Sequence, residues 1–401
     1  MDPSVPSISE RARLQPSSPI RKLVPLADAA KKRGVSVYHL NIGQPDIETP
    51  PEFMRVVRGW DKPVLEYGNS KGDARLIASA IGYYLRQLGV TLGPEHVQVT
   101  TGGSEALLFA ILAVTGPGDE VVVFEPFYTN YNAFAVMAGI KLAPVGTHGG
   151  DGYHLPPAEE IEKRIGPRTR AILVCTPNNP TGTIYSRAEM ERVGALCRKH
   201  SLFLLSDEPY REFLYEGEFF SALHLSGLDE QVVMLDSTSK RFSACGARVG
   251  LMVSRNRELI DSALRMGQAR LSSPTIEMEA AAAAFDLPAE YYRKVAEEYR
   301  RRRDLLYRRL QAMPGVVCAK PEGAFYTMTR LPVSDTEDFC RWLLTDFQHR
   351  GETVMMAPGA GFYASQGKGA DEVRIAYVLG VEKLDRAMDC LAQALQTYPR
   401  R

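Results

Sequence analysis

Between Val97 and Ser254 the chain repeats one pattern, a short apolar run followed in several cases by a helical stretch. The runs are HVQVTT, DEVVVFEP, RAILVC, LFLLSD, QVVMLDS and VGLMVS, and none of them alternates strictly between apolar and polar residues. An alternating strand has one wet face, whereas a non-alternating one is covered on both. A helical pattern over Ser186–His200 follows RAILVC and is typical of the connections. Strand–helix alternation of this kind predicts an α/β fold with a mostly parallel sheet between helices. After Pro274 the texture changes. One long amphipathic helix is predicted over Ala289–Met313, and strands are predicted at GAFYTM, TVMMAP and EVRIAYV, which together suggest a smaller α+β domain. The expected organisation is an N-terminal arm (1–20), a small domain (21–55 with 285–401) and a large domain (56–284).

At ~150 residues per domain, 401 residues suit two or three domains. The 48 Lys and Arg balance 48 Asp and Glu, giving a formal net charge of +0. Such a surface argues against a general binder of nucleic acid or anionic membrane, while leaving room for a local charged pocket. The six cysteines form no C-x-x-C pair and read as scattered thiols. The seven histidines include no HExxH, so no metal site is expected. The N-terminus lacks the apolar core of a signal peptide, and no apolar run approaches the ~18 residues that span a bilayer. A cytoplasmic location is expected.

The unusual residues cluster at predicted strand ends, where open parallel sheets bind ligands. HVQVTT runs into Gly102-Gly103-Ser104-Glu105 and then an apolar helical pattern. This is either a plain turn or a helix N-terminus open to a phosphate. Asp207 ends LFLLSD and is either a helix cap or a buried carboxylate facing a cationic ring nitrogen. Lys240, in Ser237-Thr238-Ser239-Lys240 with Arg248 eight residues on, is either a solvated loop lysine or an amine nucleophile with a lowered pKa. PNNPTG (Pro177–Gly182) is a rigid turn that could present Asn179 to a ligand. Arg374, between apolar residues of EVRIAYV, is either an outward-facing edge residue or a clamp for a carboxylate.

The ordered set NIGQPD, YGNSKG, TGGSEA, PNNPTG, SDEPY, SxSK…R and VRIAY resembles the fold-type I pyridoxal-phosphate aminotransferases of class I/II, in particular the aspartate aminotransferase subgroup. The resemblance spans about Asn41 to Arg374. It implies a large domain with a mostly parallel seven-stranded sheet that binds pyridoxal 5'-phosphate. Lys240 would be the Schiff-base lysine and proton shuttle, Asp207 the partner of the ring nitrogen, and Tyr210 and Asn179 donors to the ring oxygen. Gly103, Ser104, Ser237, Ser239 and Arg248 would cradle the phosphate, and Tyr128 would stack on the ring. Tyr67 matches a tyrosine that reaches the neighbouring subunit, implying a homodimer with shared sites. Arg374, helped by Asn179 and the Gly43 backbone, would clamp the substrate α-carboxylate.

The implied reaction moves an amino group from an L-amino acid to a 2-oxo acid such as 2-oxoglutarate, in ping-pong fashion. Some aspartate enzymes of the subgroup place a side-chain-binding lysine where this chain has Ser104. Arg21, in SSPIRK, is the candidate replacement, with a plain surface arginine as the alternative. The same resemblance admits an aromatic or alanine-type aminotransferase, or a C–S lyase or synthase on the same fold.

Overall fold

The computed structural model describes residues 6–399, so the first five residues of the expected arm lie outside the described residues. The strands in chain order are β1 (Ser36–His39), β2 (Val97–Thr100), β3 (Glu120–Glu125), β4 (Lys141–Gly146), β5 (Thr169–Cys175), β6 (Phe203–Asp207), β7 (Val232–Ser237) and β8 (Gly250–Val253). They continue with β9 (Val317–Cys318), β10 (Tyr326–Arg330), β11 (Glu352–Met355), β12 (Ala357–Pro358) and β13 (Glu372–Ala376).

The six apolar runs, joined by β4, form one sheet of order β2-β8-β7-β6-β5-β3-β4. It is parallel except for β8, which is antiparallel to both neighbours. β4 was invisible as an apolar run because it lies at the edge and contains Pro144, and only Val145 in it is buried. Edge strands tolerate proline because their outer N–H needs no partner. In the inner strands successive residues serve opposite faces: Val121, Val123 and Leu173 pack in one core, Val122, Ile172 and Val174 in the other. Each such side chain stabilises by about 1.5–3 kcal/mol on burial, which is why these strands read as unbroken apolar runs.

The remaining strands make a four-stranded antiparallel sheet, β12-β13-β10-β9, and a parallel pair, β1 with β11. The long helix runs Ala289–Gln311, two residues shorter than expected. Met313 precedes Pro314, whose ring disfavours the α conformation in the residue before it. Tyr210 and Phe213, from the segment after β6, pack in the same core as Phe325 and Ile375. A link between the two sheets is thus built from the residues that directly follow Asp207.

Polar contacts strengthen that link. Glu189 closes a capping box with Ser186 at the start of helix Arg187–His200 and also accepts from the Leu155 N–H at 2.7 Å. His154 sits between Glu189 (3.1 Å) and Glu322 (3.6 Å), and Glu322 accepts from the Ile184 N–H. Hydrogen bonds to both carboxylates push His154 up to about 10. Burial alone would raise Glu189, yet His154 and Ser186 pull it down to about 2.

The signs give a stability window. The raised His154 contributes fully below its unfolded value, about 6.5, and loses that contribution as pH rises toward 10. The lowered Glu189 contributes above about 4.5 and loses it as pH falls toward 2. His154→Ala should therefore lower the melting temperature most between about pH 4.5 and 6.5, with the deficit shrinking on either side. A deficit that grows from pH 7 to pH 10 would contradict this.

Candidate active site

The ends of the central strands share one edge because Cys175 pairs with Asp207 and Asp207 with Leu235 in parallel register. β8 enters the sheet reversed, so its first residue, Gly250, pairs with both Thr100 and Ser237. This brings Arg248 to the edge where β2 and β7 end. A cavity of about 590 Å³ opens there, within the roughly 300–1,000 Å³ of small-molecule sites. All the residues singled out in the sequence border it except Tyr67, which lies outside with 81% of its surface exposed.

At one end Gly103 and Ser104 begin helix Gly103–Val114, whose first N–H groups have no carbonyl four residues back. Those groups and the helix dipole favour an anion. Gly102 has φ +78°, and a Cβ there would lie 2.4 Å from Arg248 Nη2. Arg248 also has a positive φ (55°) and donates from Nη1 to the Cys245 carbonyl at 3.0 Å. The Ser237 and Ser239 hydroxyls are 2.9 Å apart. TGGSEA is thus more than a turn: backbone donors, two hydroxyls and a guanidinium share one corner.

Lys240 sits in the short helix Thr238–Arg241, not in a loop, and is half-buried. The turn is fixed from behind by Asp236, which is 1% exposed. Asp236 accepts from Arg211 Nη1 (2.7 Å), the Tyr84 hydroxyl (2.8 Å), the Ser237 N–H (2.7 Å) and Arg241. Lys240 Nζ donates to the Gly43 carbonyl at 2.8 Å. Burial, assisted by Arg374 and Arg248, holds its amine below the usual lysine range.

Asp207 shifts the other way. Burial raises it to about 6, against a hydrogen bond from the Tyr131 hydroxyl at 2.7 Å. No helix begins after it, so the capping reading fails. In PNNPTG the two asparagines divide the work. Asn178 ties the turn, donating to the Cys175 carbonyl and accepting from the Thr181 N–H. Asn179 turns to the cavity, accepting from Arg374 Nη1 at 3.0 Å with its Nδ2 3.5 Å from the Tyr210 hydroxyl.

Arg374 is not an edge residue: β13 is flanked by β10 and β12, and Arg374 is 1% exposed. Its guanidinium donates to the Asn41 carbonyl at 2.5 Å and lies 4.6 Å from the Tyr326 ring centre, while its Nε has no partner among the described residues. A buried arginine with an unmet donor at a cavity is suited to a carboxylate. Arg21 is exposed at the mouth, with no carboxylate paired to it among the described residues.

Sequence reasoning missed Tyr131 and Tyr326. Tyr131, the second residue of helix Asn130–Ala138, stands three residues after Tyr128 and donates its N–H to the Tyr128 carbonyl at 2.9 Å, a turn that keeps the two rings together. Tyr326 is hidden in GAFYTM because its ring reads as core, yet its hydroxyl lies 3.0 Å from that of Tyr210. Among the described residues no helix is long and apolar enough to cross a membrane, and no acid, His and Cys cluster could hold a metal ion.

Residues 35–391 match the family described as aminotransferase class I and II. The chain is 31% identical to an aspartate aminotransferase of Thermotoga maritima, over 97% of this chain and 100% of the relative. It is 28% identical to aromatic-amino-acid aminotransferase 2 of Thermococcus litoralis, over 97% and 98%. Among solved structures, the aspartate aminotransferase of Thermus thermophilus with maleate superposes with a TM-score of 0.86 at 29% identity, covering 97% of this chain and 100% of the other.

Gly102 and Gly34 both have positive φ, but a Cβ at Gly34 meets nothing within 4 Å. Gly34→Ala should lose about 1–2 kcal/mol of stability in chemical denaturation, and Gly102→Ala, whose ψ of 168° lies in a region that only Gly readily occupies, about 1–3 kcal/mol. Only Gly102→Ala also displaces Arg248, so only it should weaken binding of inorganic phosphate. Equal phosphate affinity in the two variants would contradict the placement of Arg248.

Proposed function

The chain belongs to the class I and II aminotransferases, which use pyridoxal phosphate, and on that premise we propose that it moves the amino group of an acidic L-amino acid, aspartate or glutamate, to a 2-oxo acid such as 2-oxoglutarate. Two features of the cavity fit the cofactor. The corner at Gly102 has no room for a Cβ beside Arg248, and backbone donors, hydroxyls and a guanidinium meet there as a phosphate requires. The cavity also holds one amine held low and one carboxyl held high. When bound, pyridoxal phosphate supplies a ring that draws electrons from the substrate Cα.

The chain's own residues take the following parts. Gly103, Ser104, Ser237, Ser239 and Arg248 hold the phosphate, Asp207 pairs with the ring nitrogen, and Tyr128 covers one face. Asn179 and Tyr210 donate to the ring oxygen. Lys240, its amine held below the usual lysine range by burial and its cationic neighbours, would be the residue that holds the cofactor's carbonyl carbon and the base that takes the proton from the substrate Cα. Arg374 grips the α-carboxylate, steadied by Asn179 and by the backbone at Asn41. Tyr67, exposed and not part of its own cavity's lining, fits a role in the site of a second copy, and so a homodimer. The division into an arm (1–20), a large unit (56–284) and a small unit (21–55 with 285–401) belongs to the same reading, as does a cytoplasmic setting.

The observation that supports an acidic donor is Arg21, a second cation lining the cavity besides the engaged Arg374, with no carboxylate partner among the described residues. The maleate held by the Thermus structure is itself a dicarboxylate. A second reading, an aromatic donor, is favoured by the apolar Leu107, Phe134 and Ile20 on the cavity wall. A half-reaction screen of the twenty amino acids decides between them. Conversion led by aspartate or glutamate supports the first, and conversion confined to aromatic donors overturns it.

Two variants test the roles. Lys240→Ala should abolish transamination, and full turnover by it would remove Lys240 from the mechanism. Arg21→Ala should lower kcat/KM for aspartate by about 10–100-fold, the worth of a charged hydrogen bond, while that for alanine changes by no more than about twofold. An equal loss for both donors would show that Arg21 does not read the side chain.

A further inference from the structure

The Asp207 carboxylate is held from outside the cavity. Tyr131, 2% exposed, donates its hydroxyl to Asp207 Oδ2 at 2.7 Å, and no donor reaches Oδ1 among the described residues. The Tyr131 ring is fixed on two sides. It lies nearly parallel to Phe127, with centres 5.9 Å apart and a 21° tilt, and meets Tyr128 edge-on at 5.7 Å and 85°. One aromatic group thus fixes both the ring covering the cavity wall and the carboxylate beside it.

From this geometry, and on the reading of Asp207 as the ring-nitrogen partner, we infer that Tyr131 is a positioning residue: its hydroxyl occupies one Asp207 oxygen, leaves the other for the cofactor, and keeps the pair charged. The surroundings explain why a donor is needed. Burial disfavours the charged carboxyl, and Glu208 beside it and Asp236 on β7 add repulsion. Lys240 favours the charge, and the neutral Tyr128 and Cys175 face the carboxyl from the β3 and β5 ends. Of the groups that favour ionisation, Tyr131 contributes most.

Tyr131→Phe removes the hydroxyl and keeps the ring. The probe is pyridoxamine 5'-phosphate, which has no carbonyl and so binds without a bond to Lys240. Its affinity for the full-length protein is measured by equilibrium dialysis between about pH 5 and 9. The unsubstituted protein should lose affinity as pH falls through about 6, where Asp207 takes up a proton. In Tyr131→Phe the midpoint should rise by about one pH unit, so that binding is about tenfold weaker near pH 5 and within about twofold near pH 8. An unmoved midpoint, whether or not the variant is less stable or binds more weakly at every pH, would overturn the inference. If the unsubstituted protein binds no pyridoxamine phosphate at any pH, the assignment of the cavity falls, and this inference with it.

Discussion

Like charges crowded into one cavity set the terms for the rest of the structure. Lys240, Arg248 and Arg374 all face it, and Asp207 is the one carboxylic acid among its described lining residues. Unit charges a few ångströms apart repel by on the order of a few kcal/mol each at the effective dielectric of a partly buried site. Such a group is comfortable only with anions between its members, and until they arrive the most easily deprotonated member yields. That member is Lys240, whose amine is held below the usual lysine range by burial first, with Arg374 and Arg248 adding to the shift. The lowered amine that transamination needs follows first from burial and then from the neighbouring guanidiniums, and the same cations suit the cavity to a phosphate and a carboxylate. A chain of zero net charge is therefore strongly cationic at one place.

Holding these groups together against their repulsion is the work of the surrounding fold. The reversed strand β8 carries Arg248 to the edge where the parallel strands end. Asp236, wrapped by two arginines and a tyrosine, anchors the turn that presents Lys240. Arg374 comes from the second sheet and meets the first through Asn179, so the site closes only when both sheets are in contact. The packing of Tyr210 and Phe213 in the core of the second sheet keeps that contact.

The sheet was legible wherever a strand is buried on both faces, because burial removes alternation and leaves unbroken runs such as RAILVC. It was illegible at β4, where Pro144 and partial exposure erase the run. The site was legible where chemistry demands unusual residues at strand ends: Gly103, Asp207, Lys240 and Arg374 stand out against apolar neighbours. Tyr131 and Tyr326 did not, since a tyrosine among apolar residues looks the same whether its hydroxyl meets a carboxylate or a void. Whether Asp207 caps a helix, or Arg374 faces solvent, was also open, because each depends on which element comes next in space and not in sequence.

Burial beside two guanidiniums should make Lys240, and no other lysine, the amine that bonds the cofactor. Borohydride reduction of the cofactor-loaded protein locks that carbon–nitrogen bond, and peptide mass mapping then locates it. The account predicts a single phosphopyridoxyl adduct on Lys240. An adduct on an exposed lysine such as Lys62, with Lys240 unmodified, would contradict it.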